Sequence, residues 1–319
     1  ILARALEIPA VLSVKGILNK VNNGDSIIID GAYGEVFINP TQRTLSIYEK
    51  KKKKYEEHIE ELKTFINKST ETADGKKVML AANIGGAEEA AKAVKAGAEG
   101  VGLFRTEFLF LNKNALPTEE EQFEEYKKAA VLTKGMPLTI RTLDIGGDKD
   151  IPYMGLTKEA NPFLGYRAIR FCLDRVDIFT TQLRAILRAS AYGSIRIMIP
   201  MITSVNEVRQ VKELIKKICS DLERNGINYD KNIQTGIMIE TPAAAVMADT
   251  LAKEADFFSI GTNDLTQYTI AVDRCNENVA YLYSAFNPAV LRLIRRIIEC
   301  AHNAGIEAGM CGEAAANAL

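Results

Sequence analysis

Residues 257–264 read FFSIGTND, and this stretch contains the pattern that decides the fold. A mostly apolar run of four residues ends at Ile260, and the polar side chains of Asn263 and Asp264 follow it. Apolar runs without strict alternation are typical of strands in a parallel sheet that helices cover on both faces. Chemistry in such proteins lies at the carboxyl ends of the strands. Asn263 and Asp264 are therefore candidate site residues.

Similar runs recur throughout residues 76–319, and helices with recognisable start signals separate them. The predicted strands are residues 78–83, 101–104, 138–143, 195–201, 236–239, 257–260 and 308–310. Capping boxes and cap–proline pairs mark four helix starts: Thr118 with Glu121, Ser204 with Glu207, Thr241 before Pro242, and Asn287 before Pro288. The span is close to the roughly 250 residues of a (β/α)₈ barrel. An open doubly wound sheet is the alternative, and a count of seven strands does not decide between them.

The first 75 residues have a different character. Residues 1–40 are rich in turn residues and contain two strand-like runs, 26–30 and 35–39, which predict a hairpin. Forty residues are too few for an independent core, so this segment is interpreted as the tail of a small domain. Residues 41–75 are polar, with apolar side chains at helical spacing, and predict a helical linker. Residues 76–319 then form the large domain.

The bulk composition excludes several classes of partner. The chain has 40 basic and 41 acidic residues and a net charge of −1, so neither nucleic acid nor an anionic membrane is an expected partner. The five cysteines are scattered without a CxxC pair, which favours a reducing cytoplasmic setting. Apolar runs are all shorter than the about 18 residues that a membrane-spanning helix needs.

Polar or charged side chains follow five of the predicted strands at their carboxyl ends. They are Arg105 and Glu107, Arg141 and Asp144, Glu240, Asn263 and Asp264, and Cys311 and Glu313. Because the carboxyl ends of parallel strands share one edge of the sheet, these residues are expected to surround a single mouth. Carboxylates from different strands, here Glu240 and Asp264, suit Mg²⁺ when water and substrate oxygens complete its coordination. Arginines suit phosphate and carboxylate, so the pattern predicts a site for an anion and a divalent metal.

Structural alternatives stay open for several of these residues. Arg105 and Arg141 could pair with Glu107 and Asp144 in a purely structural network. Cys311 could be a small buried core residue, although its position between two glycines at a strand end favours function equally. Four more arginines at helical spacing are interpreted as salt-bridged helix faces: Arg167, Arg170, Arg184 and Arg188. The two histidines are interpreted as solvated or packing residues: His58 and His302.

The ordered set of motifs resembles a known family. GLFRTEFLF, IRTLDIGGDK, NPFLGYRAIR, RIMIPMI, GIMIETPAA, FFSIGTNDLTQYTIAVDR and GMCGE are together similar to the phosphoenolpyruvate-binding barrel of the phosphoenolpyruvate–protein phosphotransferases, Enzyme I of the bacterial sugar phosphotransferase system. The opening LARALEIPAV resembles the stretch just after the phosphorylated histidine in that family's swivelling domain. The resemblance implies a TIM-type (β/α)₈ barrel, preceded by the end of the swivelling domain and a helical linker.

The resemblance also implies roles for individual residues. Arg105, Arg141 and Arg274 match arginines that bind the phosphate of phosphoenolpyruvate. Asn263 matches a substrate-binding amide, and Asp264 lies beside it in the same motif. These five residues are the expected substrate-binding set.

Two further roles follow from the same motifs. Glu240 and Asp264 match the ligands of a Mg²⁺ cofactor. Cys311 matches the proton donor to the methylene carbon of enolpyruvate. The implied reaction transfers the phosphoryl group of phosphoenolpyruvate to a histidine on a mobile domain, which passes it to the carrier protein HPr. The family also implies a homodimer formed through the barrel.

This sequence departs from the family pattern in ways that affect the expected activity. Neither histidine stands in a matching phosphorylation motif, and the carrier-docking helical subdomain and the eighth strand are not found. The chain is therefore interpreted as a fragment truncated at both ends, which should bind substrate but not complete turnover. Two alternatives remain: the barrel of a pyruvate phosphate dikinase or phosphoenolpyruvate synthase, and a non-catalytic binding or dimerisation module.

Overall fold

A computed structural model of the chain describes residues 8–66, 68, 70–111, 113–146, 151–155 and 159–317. The chain divides into two compact units, Ile1–Lys68 and Ser69–Leu319. Two stretches of the motifs quoted above lie outside the described residues: residues 2–7 of the opening segment and residues 147–149 of IRTLDIGGDK.

The first unit contains a hairpin and a long helix. Strands β1 (Ile27–Asp30) and β2 (Glu35–Ile38) pair antiparallel, after a short 3₁₀ helix at Ile17–Asn19. Asp30 closes the turn by accepting hydrogen bonds from the amides of the two residues that follow Gly31. Helix α1 (Gln42–Lys63) begins where the Thr41 hydroxyl accepts a hydrogen bond from the Thr44 amide. The predicted hairpin and linker helix are thus both formed.

The second unit is built on a sheet of seven parallel strands in the described residues. They are β3 (Ala81–Ile84), β4 (Gly100–Arg105), β5 (Leu138–Arg141), β6 (Ile195–Ile199), β7 (Gln234–Ile239), β8 (Phe257–Ile260) and β9 (Glu307–Met310). Each strand pairs with the next one along the chain, so the order in the sheet follows the sequence from β3 to β9. A doubly wound sheet reverses its strand order at a switch point. The observed order lacks that reversal, which confirms the barrel-type α/β prediction over the open-sheet alternative.

The seven predicted strands are all present; the strand at residues 257–260 has the predicted ends and the other six are shifted by up to three residues. The largest shift is in β3, which begins at Ala81 rather than at residue 78, because Val78, Met79 and Leu80 are exposed and precede the paired register. Ala82 pairs with Val101 and Asn83 pairs with Leu103, so the register shifts here and the extra residue, Gly102, lies in β4.

Helices connect the strands and cover the outer face of the sheet. They are α2 (Ala87–Lys95), α3 (Glu107–Leu111), α4 (Glu119–Leu132), α5 (Ile169–Asp174), α6 (Val176–Ala189), α7 (Val205–Arg224), α8 (Pro242–Val246), α9 (Ala248–Leu251), α10 (Thr262–Ile270) and α11 (Pro288–Asn303). Short 3₁₀ helices lie at Pro152–Met154, Pro162–Leu164, Ser190–Tyr192, Ala280–Leu282 and Glu313–Ala316. Both capping boxes form, at the starts of α4 and α7. In the described part of the chain, none of the helices is long and apolar enough to cross a membrane.

The two faces of the sheet bury different clusters. Ile237 and Ile239 of β7 belong to the large cluster that also contains the buried helix residues. Met238, between them, belongs to a small cluster with side chains from three other strands: Leu103, Met198 and Phe257. Cys311 packs against this small cluster. Alternate residues along a strand point to opposite faces of the sheet, so the two clusters lie on opposite faces. The face that carries the small cluster is called the inner face here, and Cys311 lies on it.

Candidate functional site

The predicted site residues lie along the carboxyl edge of the seven-stranded sheet. Arg105 and Arg141 are the last residues of β4 and β5, and Glu240 directly follows β7. Asn263 and Asp264 lie in the first turn of α10, which begins just after β8; Cys311 directly follows β9. Arg274 lies in the loop after α10 and reaches back to Asp264, with 3.5 Å between its Nη1 and Oδ1 of Asp264.

Arg141 is held between two carboxylates. It is 7% exposed, donates from Nη2 to Oε1 of Glu107 at 2.9 Å, and places Nη1 2.9 Å from Oδ2 of Asp144. Burial alone would lower the pKa of this guanidinium, but the charges of Glu107, Asp144 and Glu240 outweigh burial and raise it. Arg141 therefore takes part in the structural network and keeps its positive charge there. Its Nε is buried and has no hydrogen-bond partner among the described residues.

Arg167 joins this network, so the prediction that it belongs to a salt-bridged helix face was wrong. It is 4% exposed, and its Nη2 donates to Oδ1 of Asp144 at 2.9 Å and to Oδ2 of Asp264 at 3.2 Å. Its Nη1 donates to the hydroxyl of Tyr268 at 3.1 Å. The spacing to Arg170 mimics a helix, but Ala168 has a φ of 49° and α5 starts only at Ile169.

A signal for the position of Arg167 was present in the sequence. The preceding residues 161–165, NPFLG, combine an Asn-Pro pair with a glycine, and such clusters mark a loop rather than a helix.

The other arginines at helical spacing behave as helix-face residues or bind backbone. Arg184 pairs with Glu119 and Asp221, and Arg188 pairs with Glu119 and Glu120, which confirms the prediction for these two. Arg170 instead donates to the backbone carbonyls of two residues in the preceding loop: Leu164 and Gly165. Both histidines are exposed, as predicted: His58 and His302.

Glu240 is a buried carboxylate of the site with a raised pKa. It is 2% exposed, and its Oε1 accepts a hydrogen bond from the Met201 amide at 2.7 Å. Burial, followed by the charges of Asp264 and Asp144, raises the pKa of this carboxyl group to about 8, against the opposing effect of Arg141 and Arg167. Gly261 is required beside it, because a Cβ at that position would lie 2.7 Å from Oε2 of Glu240. A nearby cation would stabilise the ionised form of such a buried carboxyl group.

Glu240 and Asp264 together fit the predicted Mg²⁺ site. Their charges interact in a buried setting, although they come from different strand ends. Among the described residues there is no group of three or more His, Cys, Asp or Glu side chains arranged to hold a metal. The described residues therefore offer two carboxylates, Glu240 and Asp264, rather than a complete cage. Mg²⁺ is commonly held by one or two carboxylates, with water and substrate phosphate supplying the remaining oxygens, so the donor set fits this ion.

Arg105 and Arg274 are less buried than Arg141 and Arg167. The guanidinium of Arg105 lies over the ring of Phe108, 4.8 Å from its centroid, and its Nε has no hydrogen-bond partner within the described residues. The side chain of Arg274 is 30% exposed. Arg274 belongs to the connected network through Asp264, whereas Arg105 shares the edge of the sheet with it and makes no ion pair to it within the described residues.

Cys311 lies in the turn that follows β9, and Asn263 of α10 is hydrogen-bonded to another residue of that turn. The amide of Cys311 donates to the carbonyl of Ile260 at 3.1 Å, and its Sγ lies 3.7 Å from the same carbonyl oxygen. Burial raises the pKa of the thiol, and the nearby Glu240 charge acts in the same direction. Oδ1 of Asn263 accepts a hydrogen bond from the Glu313 amide at 3.0 Å. The thiol is thus held in its protonated form at this edge of the sheet.

Comparison with known families identifies two segments. Residues 59–319 match the family described as PEP-utilising enzyme, PEP-binding domain. Residues 1–34 match the family described as PEP-utilising enzyme, mobile domain.

Curated relatives align along the chain. It is 53% identical over 319 residues to the phosphoenolpyruvate-protein phosphotransferase of Geobacillus stearothermophilus, covering 100% of this chain and 55% of that protein. The corresponding values for the protein of the same name from Priestia megaterium are 50% identity, 100% and 56%. The chain thus spans about half the length of these relatives. A solved aldolase/citrate lyase family protein from Burkholderia cenocepacia J2315 aligns with a TM-score of 0.45 at 12% identity, over 80% of this chain and 86% of that one.

Proposed function

This chain belongs to the family of PEP-utilising enzymes, and on that premise we propose that it supplies the phosphoenolpyruvate site of a phosphoenolpyruvate–protein phosphotransferase. The reaction is transfer of the phosphoryl group to a protein histidine, and from there to the carrier protein HPr in sugar uptake. The observation that carries the proposal is a chain of ion pairs at the carboxyl edge of the sheet. Asp144 pairs with both Arg141 and Arg167, and Arg167 also bonds to Asp264. The curated relatives support this reading over a dikinase or a synthase, because they carry the phosphotransferase name.

The arginines are proposed to hold the phosphate and carboxylate of the substrate. A guanidinium has five N–H donors, and the described contacts of Arg141 and Arg167 leave donors available on both. Arg105 and Arg274, which are less buried, complete a cationic wall around the anion, and Asn263 contributes its amide. Phosphoryl transfer needs mainly positioning and charge neutralisation, and four guanidinium groups at one mouth supply both.

Glu240 and Asp264 are the proposed ligands of Mg²⁺. When bound, the ion would neutralise charge on the phosphoryl oxygens. The protein's own part is to hold two carboxylates in place before the ion arrives. The Met201 amide orients Glu240, and Arg167 orients Asp264.

Cys311 is the proposed proton donor to enolpyruvate. When the phosphoryl group leaves, the electron pair of the P–O bond stays on the enol oxygen. An electron pair of this oxygen then forms the carbonyl bond, while the C=C pair takes the proton from Sγ and forms the new C–H bond at the methylene carbon. The thiolate that remains regains a proton from water. A thiol with a raised pKa carries the proton that this role needs.

The segment assignments, assembly and location are part of the same proposal. Residues 1–40 would form the end of the mobile domain, as the match of residues 1–34 supports, followed by a helical linker over 41–75 and the barrel over 76–319. The family resemblance supports a homodimer through the barrel. The scattered, unpaired cysteines support a cytoplasmic location.

Calorimetry with phosphoenolpyruvate and Mg²⁺ tests the substrate site. We expect a saturable heat from the unmodified chain and none from Arg141→Ala. Because Arg141→Ala leaves Glu107 and Asp144 without this partner, Arg141→Lys serves as a second variant that keeps the charge, and thermal unfolding checks that each variant is folded. Arg292→Ala is the matched control, since Arg292 is an exposed residue of α11. Absence of heat from the folded, unmodified chain would refute the proposal.

A further inference from the structure

The turn that carries Cys311 is tied to three other elements at the carboxyl edge of the sheet. Its first amide bonds to the end of β8, through Cys311 N and the Ile260 carbonyl at 3.1 Å. Its third residue bonds to the start of α10, through Glu313 N and Oδ1 of Asn263 at 3.0 Å. The remaining tie comes from β3, where Nδ2 of Asn83 donates to the Cys311 carbonyl at 2.9 Å.

Close packing at Gly312 limits how this turn can move. A Cβ on Gly312 would lie 1.9 Å from Oγ1 of Thr262 and 2.6 Å from its backbone nitrogen. The peptide on this side of Cys311 therefore lies directly against the first residue of α10. This packing prevents the Cys311–Gly312 peptide from moving towards α10 but not away from it. The hydrogen bond from Asn83 to the Cys311 carbonyl restrains the same peptide.

Asn83 lies in the strand at the other end of the sheet from β9, the strand that precedes Cys311. It belongs to β3, and β3 and β9 are the first and last strands of a sheet in which they are not neighbours. The pairing of β3 with β4 shifts register at this point, because Gly102 of β4 is an extra residue between the partners of Ala82 and Asn83. Bulges re-aim side chains and are common next to active sites. The side chain of Asn83 thus reaches the carbonyl of Cys311, which is 228 positions away in sequence.

We propose that Asn83 is a positioning residue, which fixes the Cys311 thiol over the carbon that it protonates. This inference rests on the proposed function. Asn83 is exposed, so its hydrogen bond competes with water and adds little to stability. Its effect falls instead on geometry, because rotation of the Cys311–Gly312 peptide redirects the Cα–Cβ bond of Cys311. Misplacement of a reacting group by about 1 Å can lower a rate by up to about 100-fold.

The proton transfer can be measured in reverse, without the histidine acceptor. The thiolate of Cys311 removes a proton from the methyl group of pyruvate; the C–H electron pair forms the C=C bond of the enolate, and the carbonyl oxygen takes the negative charge. In D₂O the thiol exchanges its proton for deuterium and returns it to carbon. Nuclear magnetic resonance follows the loss of the methyl proton signal in the presence of Mg²⁺.

The variants Asn83→Ala and Asn83→Asp both remove the amide donor. We expect each to lower kcat for exchange by about 10-fold or more, with KM for pyruvate and the affinity for phosphoenolpyruvate unchanged. Asn206→Ala is the control, because Asn206 is an exposed asparagine of α7. Cys311→Ala should abolish exchange. Exchange at the unmodified rate in both Asn83 variants would overturn the proposal.

Alkylation of the thiol separates this inference from the function on which it rests. Iodoacetamide should modify Cys311 severalfold faster in Asn83→Ala than in the unmodified chain, as followed by mass spectrometry of the Cys311 peptide. The exposed Cys275 in the same chain is the internal control and should react at an unchanged rate. If the unmodified chain neither binds phosphoenolpyruvate nor exchanges pyruvate protons, the proposed function fails. An equal Cys311 rate in Asn83→Ala then refutes the positioning role independently.

Discussion

Arg167 donates from Nη2 to Oδ2 of Asp264 at 3.2 Å. This bond links the loop that precedes α5 to the first turn of α10. The same nitrogen bonds to Asp144, so one guanidinium orients carboxylates from two separate strand ends. Both partners are buried, where such bonds are stronger than in water. The proposed metal ligand Asp264 is therefore oriented by the fold before any substrate binds.

Replacement of Arg167 by lysine should weaken substrate binding more than it weakens the fold. Lysine keeps the charge but cannot reach two carboxylates and a hydroxyl from one planar group. We expect the affinity for phosphoenolpyruvate with Mg²⁺ to fall at least about 10-fold, since a hydrogen bond to a charged group is worth about 1.5–3 kcal/mol. Calorimetry measures this, and Arg292→Lys on the exposed face of α11 is the control. Unchanged affinity in Arg167→Lys would show that Arg167 is only structural.

The fold was largely predictable because its signals are local. The alternation of apolar runs with capped helices gave all seven strands, and Thr118–Glu121 and Ser204–Glu207 form the predicted capping boxes. The order of the strands in the sheet could not be predicted from local sequence, because it depends on which apolar runs pair with each other. Only the order in which the strands pair separates the barrel type from an open sheet.

A methyl group added at Gly261 should disturb the carboxylate pair. The new Cβ would lie 2.7 Å from Oε2 and 2.8 Å from Cβ of Glu240, both too close for contact. We expect Gly261→Ala to lower the free energy of unfolding by about 1–3 kcal/mol, as overpacking does, and to weaken Mg²⁺-dependent binding. Gly309→Ala is the matched control in β9, because the nearest atom to its Cβ would be 3.9 Å away. Equal effects of the two substitutions would argue against close approach at Gly261.

The capping box of α4 should give the chain a measurable acid sensitivity. A hydrogen bond from Lys113, followed by those from Thr118, lowers the pKa of Glu121 from 4.5 to about 2. The folded state then binds fewer protons than the unfolded state between these values, so stability is present above about pH 4.5 and is lost as pH falls towards 2.

Thermal unfolding at several pH values tests this cap. We expect Glu121→Gln to show a smaller fall in Tm across that window than the unmodified chain, because glutamine has no proton to gain. Lys113→Ala should show an intermediate fall, since it removes the largest cause of the low pKa and leaves Thr118 in place. Identical pH dependence in Glu121→Gln and the unmodified chain would contradict the assignment.

The site was predictable only in part. Residues directly after apolar runs, such as Glu240 and Asp264, stood out because strand ends are recognisable in sequence. Arg167 did not, because its spacing to Arg170 is that of a helix, and the backbone turn at Ala168 that separates them is set by tertiary packing. Gln182 was missed for a related reason: a polar residue on a helix is normally exposed, and nothing local indicates that this one is buried.

Gln182 is hydrogen-bonded to three residues near the site. Its replacement should lower both the free energy of unfolding and the affinity for phosphoenolpyruvate. Its Oε1 accepts from the Leu143 amide at 2.8 Å, and its Nε2 donates to Oγ1 of Thr106 at 3.1 Å and to the Tyr126 hydroxyl at 3.3 Å. Gln182→Leu keeps the volume but leaves these buried groups without this partner, at about 1–3 kcal/mol for each unsatisfied group. We expect the free energy of unfolding in urea to fall by about 3 kcal/mol and phosphoenolpyruvate affinity to fall as well, because Asp144 follows Leu143 directly. Gln210→Leu on the exposed face of α7 should stay within about 0.5 kcal/mol of the unmodified chain. A Gln182→Leu chain as stable as the Gln210→Leu control would mean that water or a neighbour replaces the amide.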